Sequence, residues 1–180
     1  KFGGSVDVAG TFTVAGSELG GGVAHKIEGT DFTDSIIIGH STTGTLSDAR
    51  RNTAVGLDAM DAITSGDDNT AMGWGALGQE DAGGKNVAIG SSALTSLNGV
   101  ANGHNVAVGY YAGRVMNSGA QNTYVGSGAG ESTTSAYGNV AVGYSALNSE
   151  DAHNANVAIG RSALTTLNAG AAGHNVAVGF

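Results

Sequence analysis

The sequence predicts an all-β chain coiled into a parallel β-roll, or β-solenoid, with rungs of about 17 residues. Three observations carry that expectation. The phrase Asn-Val-Ala-Val-Gly or a close variant starts at Asn52, Asn69, Asn86, Asn105, Asn122, Asn139, Asn156 and Asn175, at intervals of 17, 17, 19, 17, 17, 17 and 19 residues. A degenerate copy, Ser35-Ile-Ile-Ile-Gly39, precedes the first by another 17. A fixed short period is the mark of one supersecondary unit stacked on the next. The composition agrees: 32 glycines, no proline and no cysteine among 180 residues, with most apolar content in Ala and Val, suit thin regular layers better than a thick globular core. Within each phrase the side chains alternate as they do along a strand.

Residues 1–34 stand outside the repeat and read as a connector. In it, Ser5–Gly10 and Thr11–Gly16 look like two short alternating strands, and Gly20–Gly22 a break. Residues 35–180 form the repeat region, with rungs starting at 35, 52, 69, 86, 105, 122, 139, 156 and 175. Phe180 interrupts the last rung, and there is neither a start methionine nor a signal peptide, as expected of a segment of a longer polypeptide. At the usual sheet spacing of ~4.8 Å the eight complete repeats should span on the order of 40 Å.

Counting each rung from its Asn as position 0, positions 1 and 3 share one face of the strand and positions 0, 2 and 4 the other. The larger residues at 1 and 3 are expected to form the hydrophobic core. The Asn-x-Ala-x-Gly face is expected to admit another backbone or sheet at close range. Glycine at position 4 marks a corner that needs a positive φ. Ala at 7 and Leu or Met at 8 begin a second element, either a strand or a helical turn. The Asn, Ser, Thr, Gly and Asp of positions 9 to 16 form the outer loop. Extra length in the 19-residue rungs falls in Leu97–His104 and Leu167–His174. These two segments, and the pairs Glu80-Asp81 and Glu150-Asp151, repeat at an offset of 70 residues, as a duplicated four-rung block would produce.

The phrases Asn86-Val-Ala-Ile-Gly90 and Asn105-Val-Ala-Val-Gly109 resemble the head repeats of trimeric autotransporter adhesins of the YadA type. That resemblance implies a left-handed parallel β-roll and an obligate homotrimer. The fuller form, Asn139-Val-Ala-Val-Gly-Tyr-Ser-Ala-Leu147, is more similar still to repeats of bacteriophage tail fibres, which often precede a self-cleaving chaperone domain. The approach Asp34–Leu46 and the strand pair near the N-terminus share that character. The resemblance covers roughly residues 35–180. It implies a structural fibre segment, extracellular on the virion, with other virion tail proteins as partners and a host cell-surface glycan or protein as the object of attachment. The alternative is a bacterial outer-surface adhesin head that binds host matrix or glycan directly. The rungs are longer than those usual in the adhesins, so the adhesin ligand surface is not carried over. A thin coil also gains by burying its Ala/Gly face against partner chains, at ~25 cal/mol per Å² of apolar surface.

Charge and chemistry narrow the rest. Fifteen carboxylates against seven Lys and Arg give a net charge of −8, with no basic stripe, so nucleic acid is not an expected partner. No run approaches the ~20 apolar residues of a membrane span, so membrane insertion is not expected. The Asn column reads as an amide ladder along the axis. His104 and His174 share a repeat position and would form a three-His metal site only if they faced a trimer axis. Their place in a turn favours solvent, as for the isolated His25, His40 and His153. Glu80-Asp81, Glu150-Asp151 and Asp67-Asp68 read as solvated charges rather than catalytic pairs. Gly126-Ser-Gly-Ala-Gly130 lacks the lysine of a phosphate loop. No cofactor and no enzymatic activity are expected. Trp74, Tyr110, Tyr111, Tyr144 and Phe180 fall just beyond the corner glycine, where they line one edge, either for glycan contact or for packing across a subunit boundary.

Overall fold

The structure is a computed structural model, and it describes residues 25–29, 32–39, 47–79, 82–98, 103–149, 154–166 and 173–180. Among the described residues eleven strands form one sheet: β1 His25–Gly29, β2 Phe32–Ile38, β3 Ala49–Arg50, β4 Thr53–Val55, β5 Thr70–Met72, β6 Val87–Ile89, β7 Val106–Val108, β8 Thr123–Val125, β9 Val140–Val142, β10 Val157–Ile159 and β11 Val176–Val178. From β4 to β11 every neighbour is the next rung of the chain, parallel and in register, so that Ala54 pairs with Ala71 and Ala71 with Ala88. This is a parallel β-solenoid. β2 runs across residues 34 and 35, pairs in parallel with β3 and β4, and meets β1 antiparallel along its other edge, which covers one end of the sheet. The strand pair expected at Ser5–Gly16 lies outside the described residues.

From β4 to β11 each strand is three residues long because the corner glycine ends it. Gly56, Gly73, Gly90, Gly109, Gly126, Gly143 and Gly160 all have φ between 123° and 139°, a region closed to residues with a Cβ. The segment after the corner is neither a second strand nor a helical turn. The amide of position 7 donates to the carbonyl of position 4, as in Ala93 to Gly90 at 3.2 Å. Position 9 donates to 6, as in Arg114 to Tyr111 at 3.3 Å, and position 11 to 8, as in Leu97 to Leu94 at 3.1 Å. Positions 6 and 8 have positive φ, for example Ser92 at 55° and Leu94 at 50°. A positive φ at the third residue is the type II signature, which the turns closed by positions 7 and 9 carry; with the turn closed by position 11 they make the second element a ribbon of overlapping β-turns. This ribbon is also stitched along the axis: the amide of Leu77 donates to Ala93 O at 3.1 Å and that of Leu94 to Ala112 O at 3.0 Å.

The core corrects the expected facing of the strands. The large residues at positions 1 and 3 point outward, and the small face points in. Ala54, Ala71, Ala88, Ala107, Ala141 and Ala158 are fully buried or nearly so, with Asn52, Asn69, Asn86, Asn105, Asn122, Asn139 and Asn156 beside them. The turn ribbon supplies the opposing wall, through Ala59, Ala76, Ala93, Ala112, Ala129, Ala146 and Ala163 and through Met60, Ile63, Leu77, Leu94, Leu97, Met116 and Leu147. The reason is steric. Leu at position 8 already fills the width of a 17-residue coil, leaving room across from it only for a methyl group. The Ala face is therefore the interior of one chain and is not available to a partner chain.

Candidate functional site

Three columns run parallel to the solenoid axis, and each is built by the register of the sheet. The first is internal. The Asn side chains do form a ladder, but its main rungs join side chain to backbone. From Asn69 onward the backbone amide of each Asn donates to Oδ1 of the Asn one rung earlier, as in Asn69 to Asn52 and Asn86 to Asn69 at 2.9 Å, Asn122 to Asn105 at 3.0 Å, Asn139 to Asn122 at 2.9 Å and Asn156 to Asn139 at 2.8 Å. The Asn52 amide donates to Ser35 Oγ at 2.8 Å. Four of these Asn side chains also donate Nδ2 to a carbonyl 14 residues on, Asn52 to Gly66 at 2.7 Å, Asn69 to Gly83 at 2.8 Å, Asn105 to Gly119 at 2.9 Å and Asn122 to Ala136 at 2.7 Å. One amide thus fixes strand register and pins the returning turn. That double duty needs an acceptor and a donor on a single short side chain, and the Asn amide provides them on two separate atoms.

Asn122→Asp is an informative disruption, because it keeps the acceptor and loses the donor. The carboxylate would face the Ala136 carbonyl and Asn105 Oδ1, both acceptors, inside the core. We expect a loss of about 3 kcal/mol at neutral pH. Burial raises the pKa of such a carboxyl in the folded state above the unfolded value of about 3.9. The folded variant then holds the proton longer than the unfolded chain, so its stability falls as pH rises from that value through the raised pKa. Urea unfolding at acid and neutral pH measures this. A penalty independent of pH would contradict it.

The second column is the outward face of the sheet. Positions 1 and 3 from Ile36 to Val178 offer eighteen residues, of which fifteen are Val, Ile or Met and three are Thr. None is charged. Met72 is 49% exposed and Ile159 40%, with Ile89, Val125 and Val142 close behind.

The third column lies just past the corner. The amide at position 6 donates to the carbonyl of position 5 one rung earlier: Gly75 to Leu57, Ser92 to Trp74, Tyr111 to Ser91, Gly128 to Tyr110, Ser145 to Ser127 and Ser162 to Tyr144, all between 2.8 and 3.1 Å. Trp74, Tyr110, Tyr144 and Phe180 are therefore stacked in register, and all are more than half exposed. Tyr111 is different. It is half-buried, stacks on Tyr110 with ring centroids 3.7 Å apart, and carries the Arg114 guanidinium 4.6 Å from its own centroid. Hydrogen bonding to Tyr111 raises the Tyr110 phenol above its ordinary range. Arg114 is in turn paired with Glu131 at 2.9 Å. Arg161 reaches over both Tyr144 and Phe180, at 5.8 and 5.5 Å. The spacing of the aromatics is legible in the sequence; the support of Tyr110 by Tyr111 is not.

His104 and His174 are exposed turn residues with φ of 49° and 72°. Four rungs separate them, about 19 Å at ordinary sheet spacing, so one chain does not bring them together. Among the described residues no group of three or more His, Asp or Glu could hold a metal ion. Asp67 and Asp68 are engaged by the previous rung: Asp67 Oδ1 accepts from the Arg50 amide at 2.8 Å, and Asp68 pairs with Arg51 at 2.5 Å. That guanidinium holds the Asp68 carboxyl below the usual range. Gly126–Gly130 forms a corner and its turns. His40, His153, Glu80-Asp81 and Glu150-Asp151 lie outside the described residues, as does the side chain of His25. Among the described residues no helix is long and apolar enough to cross a membrane.

The fold defines a repeat protein of the β-solenoid class. No known protein family, characterised protein or solved structure matches the chain.

Proposed function

We propose that this chain is a structural segment of a homotrimeric phage tail fibre, a stiff shaft that supports attachment to a host receptor from the virion. The observation that carries the proposal is the uncharged outward face of the sheet. Contiguous exposed apolar surface on this scale is a mark of an interaction site, and here it extends over every rung. Three chains that turn these faces toward a common axis remove Val, Ile and Met from water along the whole length. The partner-facing surface is thus the Val column, in place of the Ala face that lies inside the chain. Axial hydrogen bonds on both the strand and the turn side favour stiffness, and the resemblance of the repeats to tail-fibre repeats favours three chains over two. The adhesin-head reading shares this assembly and draws its own support from the exposed aromatic column.

Sedimentation of the repeat region should give the mass of three chains. A Val142→Glu, Ile159→Glu double variant should sediment as a single chain with the β circular dichroism retained, since both side chains lie on the outward face. A wild-type monomer would sink the assembly.

A further inference from the structure

We infer that the corner column from Trp74 to Tyr144 is a binding ladder for an extended β-(1→4)-linked pyranose glycan. The inference goes beyond the assembly proposed above and does not depend on it, because every residue of the ladder belongs to one chain.

The column has a period of two rungs. At position 5 successive rungs carry Leu57, Trp74, Ser91, Tyr110, Ser127, Tyr144, Arg161 and Phe180. From Trp74 onward, an aromatic ring occupies every second rung. The rings of Trp74, Tyr110 and Tyr144 are separated by Ser91 and Ser127, whose short side chains leave the space between rings open and offer hydroxyls. Two rungs advance ~9.6 Å along the axis. In a β-(1→4) chain each pyranose is rotated by about half a turn relative to the last, so the same sugar face returns with every second residue. One sugar advances such a chain by close to one rung. Three rings on alternate rungs therefore meet the same C–H face of sugars one, three and five. A subunit boundary in a repeating assembly gives no reason for this doubling, since the outward face beside it repeats with every rung.

The duplication within the chain adds a second observation. Residues 70 apart are equivalent, so Trp74 corresponds to Tyr144 and Tyr110 to Phe180. The aromatic character survives in both pairs although each residue type has changed. The alternate rungs have diverged, from Leu57 to Ser127 and from Ser91 to Arg161. A simple copy would have preserved the residues; what persists is the ring. Tyr111 is a positioning residue, stacked behind Tyr110 and held by Arg114, so that Tyr110 presents its other face outward. Arg161, lying over Tyr144 and Phe180, closes the ladder beyond Tyr144.

Trp74 is the only tryptophan in the chain, so its fluorescence reports binding directly. Cellopentaose or chitopentaose should perturb it saturably, with at least tenfold weaker binding of the matching disaccharide and of α-linked maltopentaose. Tyr110→Ala should weaken the pentasaccharide at least tenfold. The double variant Ser127→Tyr, Tyr144→Ser keeps the number of rings but breaks their alternation, and it should weaken binding as much. The ladder is overturned if neither β-linked pentasaccharide binds at millimolar concentration, if maltopentaose binds equally, or if the rearranged variant binds like the wild type. It is also overturned if Tyr110→Ala dissociates an otherwise trimeric protein, which would place the rings in a subunit boundary. Sedimentation of the same samples separates the two proposals: a trimer that ignores the sugars ends this one alone, and a monomer that binds them ends the other.

Discussion

Gly126→Ala is expected to destabilise the solenoid by about 4 kcal/mol, combining a φ of 134° with overpacking against the next rung. A Cβ built at this corner would stand 2.4 Å from the carbonyl oxygen of Gly143 and 2.6 Å from its carbonyl carbon. Both are backbone atoms, so no side chain can swing aside. The corner below repeats the problem, since a Cβ added at Gly109 would stand 2.5 Å from Gly126 O, so a shift at one rung is passed to its neighbours. Gly138→Asn is the internal control. Gly138 has a φ of 67° with nothing within 4 Å of its added Cβ, and the same position in other rungs carries Arg51, Asp68, Lys85, His104 and Gln121 at positive φ. That variant should unfold within about 0.5 kcal/mol of the wild type, since Asn tolerates the left-handed region. Urea denaturation at one fixed protein concentration measures both, because oligomer stability depends on concentration. A Gly126→Ala protein as stable as the control would remove the steric account of the corner.

The corner was readable because a glycine at a constant offset from a strand, rung after rung, marks a backbone angle that residues with a Cβ avoid. The solenoid followed from the constancy of the spacing, and the aromatic column followed from counting past the corner. The facing of the strand was not readable from alternation alone. Val-x-Val and Asn-x-Ala fit a half-buried strand in either orientation, and the greater hydrophobicity of Val points to the wrong side. Volume on the opposite wall decides the matter. Leu77, Leu94 and Leu147 come from the turn ribbon, and they leave space only for Ala71, Ala88 and Ala141 across from them. The buried Asn fits the same arrangement, since a turn carbonyl 14 residues on satisfies its amide. A clue was present in the sequence: Ala at position 7 followed by Leu or Met at 8 is a wall already supplied with bulk. The left-handed φ of Leu77, Leu94 and Leu147, near 50° in all three, had no such clue. Tertiary packing and axial hydrogen bonds hold these residues in a conformation that their side chains disfavour.

Tyr124→Ala restores the residue found at this position in most other rungs, yet it is expected to cost about 3–5 kcal/mol. Among the described residues Tyr124 is the largest fully buried side chain, and it sits between Ala107 and Ala141 in the inward column. Its ring occupies the volume that Leu fills elsewhere. At position 8 this rung and the one before it carry Gly130 and Gly113, with φ of 59° and 60°, where Leu94 and Leu147 have 50° and 53°. The exchange is reciprocal. A Cβ on Gly130 would lie 2.7 Å from the Tyr124 ring, and one on Gly113 would lie 3.0 Å from it. Gly130→Leu alone should therefore destabilise by overpacking, even though Leu is the common residue there. Combining Tyr124→Ala with Gly113→Leu and Gly130→Leu should recover most of the lost stability, because it rebuilds the packing of the neighbouring rungs. The coupling between these sites should then be favourable by more than about 2 kcal/mol in a mutant cycle, well beyond the additivity of distant residues. Additive losses in the triple variant would mean that Tyr124 and the two glycines do not share one volume. The rung around Tyr124 would then owe its stability to something other than the exchange of one ring for two Leu side chains.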